Sequence, residues 1–366
     1  MNRRRFLRMT GAAAATLALP LPKLGRALAG SPTEGRWRLF EVTTHVELLR
    51  PKGVSRAWVP LPLAVDTDFQ KSLGNSWDAA SGKAGFHHDA RYGVTMVAAE
   101  WAEGVKPVLD VTSRVSLRDW AVDVNAKPTS ETLDGVSRAL WTAPTRLIRT
   151  DGLALATARE VTAGTKGGDV EKARALYAWV CDHSYRDPKT RGCGLGDINS
   201  MLATKTLGGK CADINGLFVG LARALGIPAR DVYGVRVADS SRGYKALGRS
   251  GDITKAQHCR AEFFADGYGW IPVDPGDVRK VILEEPPGNL AVTDPKVLAA
   301  RSYLFGSWEG NWMAYNYGHD VALPGSGKGP VGFFMYPQGE TADGLVDCLD
   351  APNFQYTLTS REVSNS

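Results

Sequence analysis

The chain has 366 residues, 43% of them hydrophobic and 23% charged, with 44 basic against 39 acidic side chains and a formal net charge of +5. That excess lies in the first thirty positions, which hold six basic residues and no acidic one, so the remainder is near neutral at 38 basic against 39 acidic. A near-neutral body excludes the electrostatic footprint of a nucleic-acid binder, and no stretch reaches the ~20 apolar residues of a membrane span.

The N-terminus reads as an export address. Arg3, Arg4 and Arg5 before Phe6 and Leu7 resemble a twin-arginine signal, a short alanine-rich apolar stretch runs from Met9 to Pro22, and Ala27-Leu28-Ala29 has the small-residue pattern of a cleavage site. The expectation is a signal peptide over 1–29 and a periplasmic or secreted protein, whose remaining length calls for two or three packed units. Five cysteines leave one over. If Cys181, Cys193, Cys259 and Cys348 pair among themselves, Cys211 is the free thiol, although a chain that folds before export can keep all of them reduced.

From Trp37 to about Asn125 the pattern has period two. "WRLFEVTTHVELL", "YGVTMVAAEWA" and "VLDVTSRVSL" alternate or are rich in β-branched residues, which predicts an antiparallel β domain over 30–150, ending in a connector. The period then turns helical. Asp169 caps a predicted helix with the stripe Val170, Ala173, Leu176, Tyr177 and Val180, ending before "DHSYRDPKTRG". In "GGKCADINGLFVGLARALGIP" (208–228), Ile214, Leu217, Phe218, Leu221 and Leu225 make the clearest amphipathic stripe in the chain, with Gly226 and Pro228 as the stop. "DVYGVRVA" and "QHCRAEFFADGYGWIPVDP" follow as strands, the second forming a hairpin. The aromatic and glycine-rich tail after 286 is expected to wrap the core as loops and short strands.

Cys211 stands where that amphipathic helix begins. Unpaired backbone N–H groups and the positive end of the helix dipole favour a thiolate there, and the same N–H groups suit a developing oxyanion. A cysteine in this position is by itself more often structural; the hairpin shifts the balance. Parity places His258, Arg260, Glu262 and Phe264 on one face. If Phe264 or, alternatively, Glu262 pairs with Trp270, Asp274 falls opposite Arg260 or His258 on that same face. A carboxylate beside an imidazole fixes its tautomer and stabilises the imidazolium. His319-Asp320 is a second His/Asp pair, in a glycine-rich loop. Cys181 and His183 with Cys193 and Cys211 carry soft ligand atoms at distances that match no usual zinc spacing. Trp308, Trp312, Tyr315 and Tyr317 read as core.

The run "GGKCADINGLFVGLARALGIPAR" followed by "HCRAEFFADGYGWIPVDP" resembles the core of the transglutaminase-like superfamily of papain-fold enzymes, over about residues 165–280. The resemblance implies an α+β fold, with a papain-like transglutaminase core over 151–285 behind the N-terminal antiparallel β domain and a wrapping segment over 286–366. It implies Cys211 as nucleophile, His258 as general base and Asp274 as its orienter. Arg260 stands where the family usually has an aromatic side chain. The Cys211 N–H is an expected oxyanion donor, and Tyr185 is the candidate for a second. The reaction expected is hydrolysis of a peptide or amide bond in a peptide or protein substrate of the cell envelope. An amine-accepting transglutaminase and a non-catalytic peptide- or cell-wall-binding protein are the alternatives. No cofactor is expected, and no acidic loop marks a calcium site. In the loop 239–257, Lys245, Arg249 and Lys255 outnumber Asp239 and Asp252, which suits a carboxylate-bearing peptide end better than a lysine.

Overall fold

The computed structural model describes residues 35–363; the expected export signal over 1–29 lies outside them. The fold is α+β. In Arg38–Leu48 every second side chain from Phe40 to Leu48 is buried, as the period-two pattern requires. This strand sits inside an antiparallel five-stranded sheet of order Gly251–Asp252, Phe354–Val363, Arg38–Leu48, Val108–Leu117, Gln70–Asp78. A second antiparallel five-stranded sheet runs Gly344–Val346, Gln338–Thr341, Ser55–Pro60, Thr95–Trp101, Lys83–His88. Val46, Val59, Val97, Leu109 and Phe354 belong to one core cluster shared by the two sheets.

The tail does more than wrap. Phe354–Val363 pairs with the first strand from Leu48↔Phe354 to Leu39↔Val363, Gln338–Thr341 pairs with Ser55–Pro60, and Trp312–Asn316 joins the sheet of the core. It thus contributes strands to both five-stranded sheets and to the sheet of the core. In "FQYTLTSREV" only Phe354 and Leu358 are buried, so the apolar signal is too thin to announce a ten-residue strand.

The core is a four-stranded antiparallel sheet of order Gly269–Val273, Gln257–Ala265, Ala229–Arg236, Trp312–Asn316. The helix Cys211–Ala224 packs on it, and the helices Gly152–Thr162, Asp169–His183 and Pro275–Glu284 pack on that helix in turn. The helix expected from the stripe Ile214, Leu217, Phe218 and Leu221 is present, and every residue from Cys211 to Arg223 is buried, the polar ones included. Its polar positions bond internally: Arg223 Nε donates to the Ala229 carbonyl at 2.7 Å, and Asn215 Nδ2 to the Cys259 carbonyl at 2.8 Å. Four fully buried side chains, Ile214, Leu217, Phe218 and Leu221, each contribute about 1.5–3 kcal/mol and hold this helix as a rigid platform. The helix expected from Asp169 starts there with Gly168, not Asp169, as its cap, and runs on to His183.

Candidate active site

The first turn of the central helix is laced to the loop before it. Asp213 accepts the N–H groups of Lys210 (3.0 Å), Leu195 (3.0 Å) and Gly196 (2.9 Å), and the Ala212 N–H donates to the Cys193 carbonyl at 2.9 Å. Gly194 (φ +91°) approaches this carboxylate so closely that an added Cβ would lie 1.7 Å from Asp213 Oδ2, so only glycine fits. With its neighbours engaged, the Cys211 N–H meets no backbone or side-chain acceptor among the described residues.

The hairpin takes the first of the two registers open to it, Phe264↔Trp270, with Ala261↔Val273 as the last pair before Asp274. Asp274 then lies across from Arg260 and reaches diagonally to His258: His258 Nε2 is 2.7 Å from Asp274 Oδ2, and Arg260 Nε is 3.8 Å from the same oxygen. His258 and Asp274 are both buried. Asp274 also caps the helix Pro275–Glu284, its Oδ1 accepting the Asp277 N–H at 2.9 Å and Asn215 Nδ2 at 3.1 Å. The Asn215 Oδ1 in turn accepts the Gly276 N–H at 2.9 Å. The backbone of His258 is fixed from the other side by Trp312 Nε1, which donates to its carbonyl at 2.8 Å.

A second carboxylate faces the imidazole. Asp277 Oδ1 is 3.3 Å from His258 Nε2, and Arg236 Nη2 donates to the same Asp277 oxygen at 2.6 Å. His258, Asp274 and Asp277 form the one metal-like grouping among the described residues, and the guanidiniums of Arg236 and Arg260 already supply cationic charge to it. Burial works against the imidazolium of His258, yet Asp277 and Asp274 outweigh it and leave the pKa raised. Burial likewise opposes ionisation of Asp277, but Arg236 and His258 hold it well below the usual carboxylate range. Burial and the neighbouring Asp277 push Asp274 up.

Cys211 is buried against two further thiols. Hydrogen bonds from Cys193 and Cys259, with His258 adding to them, hold its pKa well below the ordinary thiol value, while Cys193 and Cys259 are pushed up. Cys193 carries a single S–H, which reaches either the Gln257 carbonyl at 3.4 Å or the Cys211 sulfur; an ionised sulfur is the stronger acceptor. All five cysteines are free thiols, so no pairing among the other four is needed to leave Cys211 unpaired.

The remaining sequence candidates lie elsewhere. Tyr185 is 46% exposed, its ring covers Gly208, and it does not line the cavity onto which Cys211 and His258 open. His319 is buried with Nε2 3.1 Å from Asp231, whereas Asp320 accepts from Arg146, so that second His/Asp pair is split. Cys181 is buried with its thiol pushed up to about 12, and His183 stacks on Trp179. Arg260 lies over Trp312, 4.6 Å from the ring centre, and donates to the Glu309 carbonyl at 3.0 Å, so the position usually aromatic holds a cation braced behind the His/Asp pair. Asn215, Arg236, Asp277, Cys193 and Cys259 were missed by sequence reasoning. Only Asn215, one helical turn from Cys211, and Asp277, three residues after Asp274 at a helix start, left a spacing signal.

Residues 155–275 match the family described as the transglutaminase-like superfamily. The chain is 31% identical over 345 residues to an uncharacterized protein of Haemophilus influenzae, covering 89% of this chain and 92% of that one. Its structure is similar to that of a putative cysteine protease from Cytophaga hutchinsonii, with a TM-score of 0.58 and 14% identity over 91% of this chain and 93% of that one. The periplasmic domain of TgpA from Pseudomonas aeruginosa matches at a TM-score of 0.34 and 16% identity, over 64% of this chain and 90% of that one.

Proposed function

Since this chain belongs to the transglutaminase-like superfamily, we propose that it is a thiol-dependent acyl-transfer enzyme that hydrolyses a peptide or amide bond through Cys211, His258 and Asp274. The observation that carries the reading is the convergence of a helix-start thiol with lowered pKa and a carboxylate-bound imidazole on one cavity.

In this mechanism the Cys211 thiolate attacks the substrate carbonyl carbon and the carbonyl electrons move to oxygen. The free Cys211 N–H receives that oxyanion. Tyr185 would have to turn away from Gly208 to become a second donor, so the proposal rests on the backbone group. The imidazolium of His258 then gives its proton to the departing amine as the C–N bond breaks, leaving a thioester. Water, deprotonated by the now neutral His258, attacks the thioester, and expulsion of the sulfur restores the thiolate and the imidazolium. Asp274 holds the ring throughout, with Asn215 and the start of the helix Pro275–Glu284 holding Asp274. The export signal read in residues 1–29 would put this chemistry in the periplasm or outside the cell.

Water at ~55 M competes with any amine for the thioester, so transfer needs a preorganised amine pocket. Incubation with a glutamine-containing peptide and excess cadaverine is expected to give ammonia release or backbone cleavage without amine incorporation. Cadaverine incorporation as the dominant product would make the protein a transglutaminase.

A further inference from the structure

Resting on the reading of Cys211 as nucleophile, we infer that the acyl donor of this cleft is an anionic peptide, carrying carboxylates on side chains or at its C-terminus near the scissile amide. The cavity in front of Cys211 and His258 has a volume of about 810 Å3. Its wall carries Arg186, Lys210, Lys245, Arg249, Lys255 and Lys280, and at its base Arg236; Glu284 is the one acidic residue lining it. These cations come from segments far apart in sequence: the strand after the helix Asp169–His183, the cap of the central helix, the loop 239–257 and the helix Pro275–Glu284.

Three of the seven are paired with carboxylates, and Arg249 Nε donates to the Asp252 carbonyl at 2.8 Å. Arg236 is bound to Asp277, and Arg186 and Lys280 share Glu284. Lys210, Lys245, Arg249 and Lys255 have no carboxylate within ion-pair distance among the described residues. Asp252, the carboxylate closest in sequence to Arg249 and Lys255, has its own oxygen occupied by the Thr254 N–H at 3.0 Å and does not line the cavity. Crowding of positive charge is felt at Lys280, where burial and then Arg236 push the ammonium down to about 8. A cleft with charge of one sign and partly buried walls focuses its field on the opening. It raises the local concentration of anions and disfavours a lysine side chain. Substrate carboxylates would neutralise the four unpaired cations on arrival, and the same carboxylates would be repelled from a site lined with acids. Tyr336, Leu349, Phe354 and Tyr356 also line the cavity and offer apolar surface for the aliphatic parts of such a peptide.

The test separates binding from chemistry. Isothermal titration of the full-length protein with the N-acetylated peptide Ala-Glu-Ala-Glu-Ala, bearing a free C-terminus, is compared with its uncharged counterpart, N-acetylated Ala-Gln-Ala-Gln-Ala-amide. Both titrations use the Cys211→Ala protein so that no turnover occurs. The acidic peptide is expected to bind at least tenfold more tightly. That preference should fall about tenfold in the Lys245→Gln/Lys255→Gln background or at 0.5 M salt, where screening length is a few ångströms. In the wild-type protein the acidic peptide should also protect Cys211 from iodoacetamide. Equal affinities, or tight acidic binding without protection, would overturn the inference. A Cys211 that iodoacetamide does not touch in the absence of peptide would instead sink the nucleophile reading, while the affinities measured with the Cys211→Ala protein still decide the peptide class.

Discussion

Cys211→Ala is expected to lower kcat by on the order of 10^5-fold or more on any peptide or amide that the wild-type protein turns over. The size follows from the role proposed for the thiol: without it no acyl-enzyme would form, and the free Cys211-position N–H and the cleft would retain only the small acceleration that binding and oxyanion stabilisation give. Alanine is a close fit to the buried site, since Cys211 already lies among Cys193, Cys259 and Ala212, so folding is expected to survive. Neither neighbouring thiol is placed to substitute: burial and hydrogen bonding push both Cys193 and Cys259 away from the thiolate form. Far-ultraviolet circular dichroism together with turnover checks both halves of the prediction. A folded Cys211→Ala protein with more than a per cent of wild-type turnover would remove Cys211 from the chemistry.

Asp274→Asn comes next in size, with an expected fall in kcat of roughly 10^3-fold, less than the ~10^4-fold seen where an orienting carboxylate has no neighbour. An asparagine can still accept from Asn215 and from the Asp277 N–H, so the helix cap persists. It can donate to His258 Nε2, however, and so keeps that nitrogen unprotonated and opposes the imidazolium that pairs with the Cys211 thiolate. Asp277, 3.3 Å from the same nitrogen and held ionised by Arg236, offers a second carboxylate that limits the damage. Asp274→Asn/Asp277→Asn should therefore lose more than the two single changes predict by simple addition, as residues sharing one partner do. Full additivity would show that Asp277 plays no part in holding His258. Near-normal turnover of Asp274→Asn would move the orienting role off Asp274. It would not pass to Glu262, which is bound to Arg230 beneath Trp270 and Tyr317.

Much of this site was legible because local pattern and site chemistry coincide in it. The stripe from Ile214 to Leu225 marks where a helix must start, and so where Cys211 meets free N–H groups. The parity of the hairpin puts His258 and Asp274 on one face in either register open to it. The observed register, Phe264↔Trp270, makes the His258–Asp274 contact diagonal rather than directly opposed. What escaped the sequence is tertiary. Asn215 lies off the apolar stripe, and its contacts with Cys259, Asp274 and Gly276 come from other elements of the fold. Arg236 and Asp277 approach His258 from a neighbouring strand and from the following helix, at separations no periodicity encodes. Cys193 and Cys259 could be counted as possible disulfide partners of other cysteines, but their placement beside Cys211 depends on the loop before the helix and on the adjacent strand. The strand Phe354–Val363 was hidden by its own polarity, because only two of its ten side chains enter the core.

The measurement that tests the central claim most directly is the rate of iodoacetamide alkylation against pH, with the modified cysteine identified by peptide mapping. A lowered Cys211 pKa and a raised His258 pKa widen the thiolate–imidazolium range on both sides. The thiolate is lost only as pH falls through the lowered cysteine value, and its imidazolium partner only as pH rises through the raised histidine value. The account predicts rapid labelling of Cys211 at pH 6, far faster than a free thiol of pKa ~8.5 allows, and a sharp slowing at that pH in His258→Ala. Labelling that follows an ordinary thiol titration, or that falls on Cys348 or another cysteine while Cys211 stays unmodified, would contradict it.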